Sequence, residues 1–89
     1  MIFLEISLNN LPFNKTGKII NLNVKQDLKR RLLDLGFVKD TKIKMLYKSP
    51  LKDPKAYLIR GSVISLRDND TKNIIINIDE EDDNIGSNK

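Results

Sequence analysis

Asn23-Val24-Lys25-Gln26-Asp27-Leu28-Lys29-Arg30-Arg31-Leu32-Leu33-Asp34-Leu35-Gly36-Phe37 carries the one strong helix signal in this sequence. Val24, Leu28, Leu32 and Leu35 recur at helical spacing, and at ~100° per residue they fall within roughly 80° of arc. That stripe is wide enough to close one side of a core. Asn23 stands where an N-cap belongs, with Gln26 three residues on to complete a capping box. Gly36 stands where a left-handed residue ends a helix, and Phe37 is then placed to pack back on Leu32 in a Schellman contact. The spacing predicts a helix over about 24–35.

Outward from this segment the chain reads as short strands. Ile2 to Leu8 alternates loosely, as an opening strand or a partly ordered arm. Leu11-Pro12-Phe13-Asn14-Lys15 is a turn, with Asn14 suited to a left-handed conformation. In the strand from Gly17 to Leu22, alternation puts Ile20 and Leu22 on one face and Ile19 on the other. Past the helix, Lys42-Ile43-Lys44-Met45-Leu46-Tyr47-Lys48 alternates strictly, with Ile43, Met45 and Tyr47 on the apolar face. Ser49-Pro50-Leu51-Lys52-Asp53-Pro54 is a loop stiffened by two prolines. Lys55 to Arg60 and Ser62 to Arg67 are strands about a tight turn at Gly61. Asp68 to Lys72 is a further turn, and Ile74, Ile76 and Ile78 mark a closing strand. A mainly β fold follows: a small SH3-like antiparallel barrel with one inserted α-helix, whose closure would remove exposed strand edges.

The 89 residues set the expectation of one small domain, and without Cys or His no disulfide or thiolate–imidazole metal site can staple it. The net charge of +4 is unevenly spread: residues 79–89 hold five acids and one lysine, so residues 1–78 carry a net +8. The chain therefore divides into a domain over 1–78 and an acidic, disordered tail over 79–89. A basic body invites nucleic acid, an acidic protein or an anionic lipid surface as partner. The apolar start at Met1-Ile2-Phe3-Leu4 is too short for a signal peptide or a membrane span, so a cytoplasmic protein is expected.

The usual nucleophilic triads need a His or Cys, and neither is present. Asp27 and Asp34 fall at i,i+3 and i,i+4 from Arg30 and Arg31, the spacing of a solvated salt-bridge ladder rather than of a general base. No glycine-rich phosphate cradle occurs. Asp68-Asn69-Asp70 resembles half of a calcium loop but lacks its glycine and distal glutamate. Asp79 to Asp83 is an acidic run that offers only hard oxygen ligands and reads first as charge balance. Neither an enzyme nor a resident metal or cofactor is expected. Single-stranded nucleic acid would need exposed aromatics among the lysines. Of Phe13, Phe37, Tyr47 and Tyr57, alternation assigns Tyr47 to the core and the helix end takes Phe37.

Lys29 to Phe37, a short turn, and Thr41-Lys42-Ile43-Lys44-Met45 resemble the signature segment of the FeoA family, ferrous iron transport protein A. The resemblance continues in order through the proline-bracketed loop Ser49–Pro54, then Gly61 with Ile64, Leu66 and Arg67, and then Ile74 and Ile76. Leu8-Asn9-Asn10-Leu11-Pro12 with Gly17-Lys18-Ile19 resembles the family's opening, so the likeness runs from about Glu5 to Ile78. Two family glycines, after the first proline and before the strand that follows the helix, are replaced by Asn14 and Asp40, the non-glycine types that best tolerate positive φ. The resemblance implies an SH3-like barrel with a helical insertion. It also implies a non-enzymatic cytosolic partner of FeoB, the membrane GTPase that takes up Fe(II), reaching the membrane only through that partner.

Two surfaces are candidates for such a contact. On the helix, Leu33 points away from the apolar stripe, either to flank the barrel core or to stand exposed as an anchor, with Arg30 and Asp34 as a polar rim, while Arg31 is placed to lay its stem along the barrel. The stiff loop carrying Leu51, Lys52 and Asp53 is the second. Two other readings compete: a basic small barrel that binds nucleic acid, and a relative of the SH3-like C-terminal domain of iron-dependent repressors. The repressor reading expects a DNA-binding domain upstream, against which a chain opening on Met1 argues. Weak self-association through an exposed edge is the remaining option.

Overall fold

A computed structural model describes residues 3–48 and 53–79. Strand β1 (Phe3–Ser7) leads through a 3-10 turn (Leu8–Asn10) into β2 (Thr16–Leu22) and helix α1 (Gln26–Asp34). Strands β3 (Lys42–Lys48), β4 (Lys55–Ile59) and β5 (Ser62–Leu66) follow, then a one-turn helix α2 (Asp68–Thr71) where a plain turn was expected, and β6 (Ile74–Asp79). The six strands form one antiparallel sheet in the order β1-β6-β2-β3-β4-β5. The opening segment is a strand rather than an arm, because β1 pairs with β6 from Phe3 opposite Asp79 to Ser7 opposite Ile75.

Side chains from five strands meet in one apolar cluster: Ile19, Ile43, Met45, Tyr57, Ile59, Leu66, Ile74 and Ile76 pack with Leu8, Leu11, Leu32 and Phe37. A flat sheet cannot bring these together. Two bulges supply part of the curvature, since an extra residue bends a strand and tightens its twist. One falls between Ile19 and Asn21 of β2, opposite β6. The other falls between Met45 and Tyr47 of β3, opposite β4.

The bulges also correct the simple alternation. In β2, Gly17, Ile19 and Leu22 are buried and Ile20 only half-buried, so the inward set changes phase at the bulge. In β3, Ile43 and Met45 face the core, but Tyr47 is 57% exposed rather than buried. The period-2 pattern identified both strands; it does not reveal where one residue is inserted.

In α1, Leu32 is buried and Leu28 packs against the core, as does Val24 just before the helix. Leu35 leaves the expected stripe: the helix ends at Asp34, Leu35 becomes the C-cap, and its side chain is 47% exposed. At the other end Lys25, not Asn23, holds the N-cap position, without a side-chain hydrogen bond. The capping box does not form; Asn23 instead donates its backbone N–H to the Asn73 carbonyl at 2.9 Å, which ties the approach to the helix to the residue before β6.

The left-handed positions follow the sequence reading. Asn14 and Asp40 have φ of 66° and 71°. Both serve the sheet: the Asn14 N–H reaches the Met45 carbonyl at 2.8 Å and the Asp40 N–H reaches the Ile19 carbonyl at 2.7 Å. The β4–β5 hairpin turns on Arg60 and Gly61, with φ of 50° and 80°, as the two-residue turn that matches strand twist.

Candidate partner-binding surface

The end of α1 is built by a Schellman motif. The Phe37 N–H donates to the Leu32 carbonyl at 2.9 Å and the Gly36 N–H to the Leu33 carbonyl at 3.0 Å. Gly36 takes φ 106°, which favours glycine. A Cβ there would also run into the side-chain stem of Arg60 from the β4–β5 hairpin. Phe37 is fully buried beneath this turn, so the helix end is fixed from inside.

That fixed end leaves apolar side chains in water. Leu33, Leu35 and Val38 are each 40–47% exposed, within six residues of one another. Arg30 and Asp34 are exposed beside them, where the sequence placed a rim, and Arg60 borders the patch across Gly36. Sequence reasoning left Leu33 open between the core and an exposed position, and it missed Leu35, assigned to the core, and Val38, which follows the helix. Only the abrupt stop at Gly36 could have signalled them.

The second predicted surface divides. Leu51 and Lys52 lie outside the described residues. Asp53, which precedes a cis proline, is half-buried, and its Oδ1 accepts the Asp68 backbone N–H at 2.9 Å. It therefore serves the first turn of α2. Beside it the Lys55 Nζ lies 3.0 Å from Asp68 Oδ1 and donates to the Asn9 carbonyl at 2.9 Å. These groups join the base of the β3–β4 loop, α2 and the 3-10 turn.

Tyr57 lies under that network with no exposed surface. Burial pushes its hydroxyl up to about 12; the Thr71 side chain works the other way, and the Asp68 and Asp53 carboxylates add to the rise. A phenol so placed stays neutral and is packed rather than reactive.

Arg31 is exposed at a cleft of about 480 Å³ between the start of α1 and α2, shared with Val24, Lys25, Leu28 and Asp70. Among the described residues Phe13 and Tyr47 are exposed aromatics, at 61% and 57%, which corrects the assignment of Tyr47 to the core. Among the described residues no three His, Cys, Asp or Glu side chains gather as a metal site. No helix of the described residues is long and apolar enough to cross a membrane.

A curled antiparallel sheet with one helix packed against its core and a fixed helix end defines a small SH3-like domain. The sequence matches the FeoA domain family over residues 6–78, and the chain belongs to that family. It is 32% identical, over 82% of its length and 99% of the relative's, to the putative Fe(2+) transport protein A of Campylobacter jejuni. Among solved structures it is similar to the FeoA protein of Chlorobium tepidum, with a TM-score of 0.79 at 29% identity, covering 82% of this chain and 70% of that one. The fold is also that of the zinc-complexed Stenotrophomonas maltophilia FeoA, described as an SH3 domain protein, with a TM-score of 0.70 at 24% identity over 80% of this chain and 88% of that one. A manganese-dependent transcriptional repressor shares the fold alone, with a TM-score of 0.73 at 13% identity over 85% of this chain and 42% of that one. The chain is thus a ferrous iron transport accessory protein by family, and the repressor likeness goes no further than architecture.

Proposed function

We propose that this protein is a non-enzymatic cytoplasmic accessory that binds the cytoplasmic part of FeoB, the membrane GTPase of ferrous iron uptake. The domain spans 1–78, with the acidic segment 79–89 beyond it, and meets the membrane only through that partner. Leu33, Leu35 and Val38 are the apolar anchors, and Arg30 and Asp34 the rim that sets orientation. The observation that carries this reading is the exposure of three large apolar side chains around a helix end that is otherwise fully specified from within. Uncovered apolar surface on a rigid element binds at low ordering cost, and apolar anchors enclosed by a polar rim are the usual anatomy of a protein interface.

The test is calorimetric titration of the protein into the purified cytoplasmic domain of its own organism's ferrous transporter, with and without a GTP analogue, at low and high salt. Binding that survives high salt is expected, since apolar contacts are little screened. Absence of binding in both nucleotide states, with retention on RNA that falls steeply with salt, would instead favour a nucleic-acid role built on the exposed Phe13 and Tyr47.

A further inference from the structure

The six-stranded sheet is open, with β1 at one edge and β5 at the other. Printed into the ladder is the direction in which each backbone group of β5 points. Met45 donates its N–H to the Lys15 carbonyl at 3.2 Å and accepts the Asn14 N–H at 2.8 Å, so both its main-chain groups turn toward the β2 side. In an antiparallel ladder this orientation alternates residue by residue. Lys44 therefore faces β4, Leu58 opposite it faces β3, and Val63 opposite Leu58 faces away from β4. The hairpin at Arg60-Gly61 gives the same phase, because the closing pair of a two-residue turn, here Ile59 and Ser62, is of the hydrogen-bonded kind. The β4–β5 register runs without a shift, so Val63 and Ser65 both turn their N–H and C=O groups outward. Neither makes a hydrogen bond among the described residues, and both are exposed.

Edge strands are commonly guarded by a charge, a proline or a bulge that deters pairing. β1 has the exposed Glu5 at its centre, whereas β5, Ser62-Val63-Ile64-Ser65-Leu66, has none of these guards. Its side chains fall into two sets. Ile64 is half-buried and packs against the core, while Val63 and Ser65 lie on the other face. Arg67 continues that second set on extended backbone, exposed, and among the described residues it has no ion-pair partner.

We propose that β5 is a strand-addition site: an extended segment of a partner protein lies antiparallel along it and exchanges main-chain hydrogen bonds with Val63 and Ser65. Alternating N–H and C=O groups at strand spacing match a polypeptide backbone, which selects peptide over nucleic acid. Opposed side chains share a face, and this sets the segment's chemistry. It carries apolar residues opposite Ile64 and Val63, and an acid four residues before the latter, opposite Arg67. Residues 1–78 carry a net +8, so a second copy of this chain is repelled where an acidic segment is attracted. The site reads backbone, whereas the helix end offers side chains.

The probe is the peptide acetyl-Thr-Glu-Thr-Thr-Val-Val-Thr-amide, titrated into the isolated protein and followed by amide NMR and hydrogen exchange, so the result does not depend on FeoB binding. In the free protein the amides of Val63 and Ser65 should exchange fast and those of Ile64 and Leu66 slowly. Saturating peptide should slow exchange at Val63 and Ser65 by about fivefold or more. N-methylation of the peptide residue opposite Ser65 should abolish binding, and N-methylation of its neighbour opposite Ile64, whose N–H points away from β5, should be tolerated. Arg67→Gln should weaken binding by about threefold. Equal loss from both methylations, or no binding of the unmodified peptide at millimolar concentration, would overturn the proposal. So would protection of Val63 and Ser65 that grows with protein concentration in the absence of peptide, because a second copy would then hold the edge.

Discussion

The end of α1 and the base of the β3–β4 loop solve the same problem in opposite ways. Both must finish backbone that leaves a regular element. At the helix end the backbone satisfies itself through the Schellman bonds at Gly36 and Phe37, and Leu33, Leu35 and Val38 are left facing water. At the loop base, side chains do the finishing: Asp53 holds the Asp68 N–H, and Lys55 spans Asp68 and the Asn9 carbonyl. The first region keeps apolar surface exposed. The second turns its charges on its own chain. Substitutions in the loop-base network should therefore weaken folding, whereas those on the outer side of the helix end should weaken only binding.

The largest effect is expected just inside the helix end. Leu32 is 1% exposed, and Leu32→Ala should cost about 3 kcal/mol through lost burial and a residual cavity. For a domain of this size that lowers the midpoint of thermal unfolding by about 15 °C or more, read by circular dichroism. A loss of only a few degrees would mean that the helix is not a wall of the core.

Lys55→Met tests the loop base. Its ammonium is nearly buried, and its removal leaves the Asn9 carbonyl and the Asp68 carboxylate without their donor. A loss of about 2 kcal/mol in urea denaturation is expected. An unchanged midpoint would show that the network is ornamental and would dissolve the contrast with the helix end.

A smaller effect belongs to Tyr57. Its folded value of about 12 lies above the ordinary 10. Between those values the unfolded chain has lost the phenolic proton while the folded chain keeps it, so stability falls as pH rises through the window from about 10 to 12. The contribution is complete below pH 10. The decline attributable to Tyr57 should be on the order of 1–3 kcal/mol, and Tyr57→Phe should be close to neutral at pH 7 and lack that component. Parallel alkaline denaturation curves for the two proteins would contradict the assignment.

How much of this was legible in the sequence varies by kind of signal. The stop of α1 was readable because Gly36 has a single mechanical job, and Asn14 and Asp40 were readable as left-handed for a similar reason. The start of α1 was not. Asn23 has the right chemistry for a cap, but its backbone is drawn to the Asn73 carbonyl by a tertiary bond that no local pattern reports. Tyr47 and Ile20 went astray for one common cause, the bulges that shift strand phase. Within the candidate site, helical angle separates Leu33 from the buried stripe but leaves open whether it flanks the core or stands exposed; the structure leaves it 42% exposed. The exposure of Leu35 and Val38 depends on where the helix stops, and the engagement of Asp53 depends on a helix, α2, whose four residues carry no periodic signal.

The smallest stability effect and the most direct test belong to Leu33. Leu33→Asp should leave the unfolding midpoint within a few degrees, since the side chain is 42% exposed and an acid near a helix C-terminus costs only about 0.3–1 kcal/mol. The decisive measurement is calorimetric titration of wild type and Leu33→Asp, side by side, into the cytoplasmic domain of the cognate transporter. The account predicts at least a tenfold loss of affinity for the variant with its fold intact. Undiminished binding by a folded Leu33→Asp protein would contradict the assignment of the helix end as the docking surface.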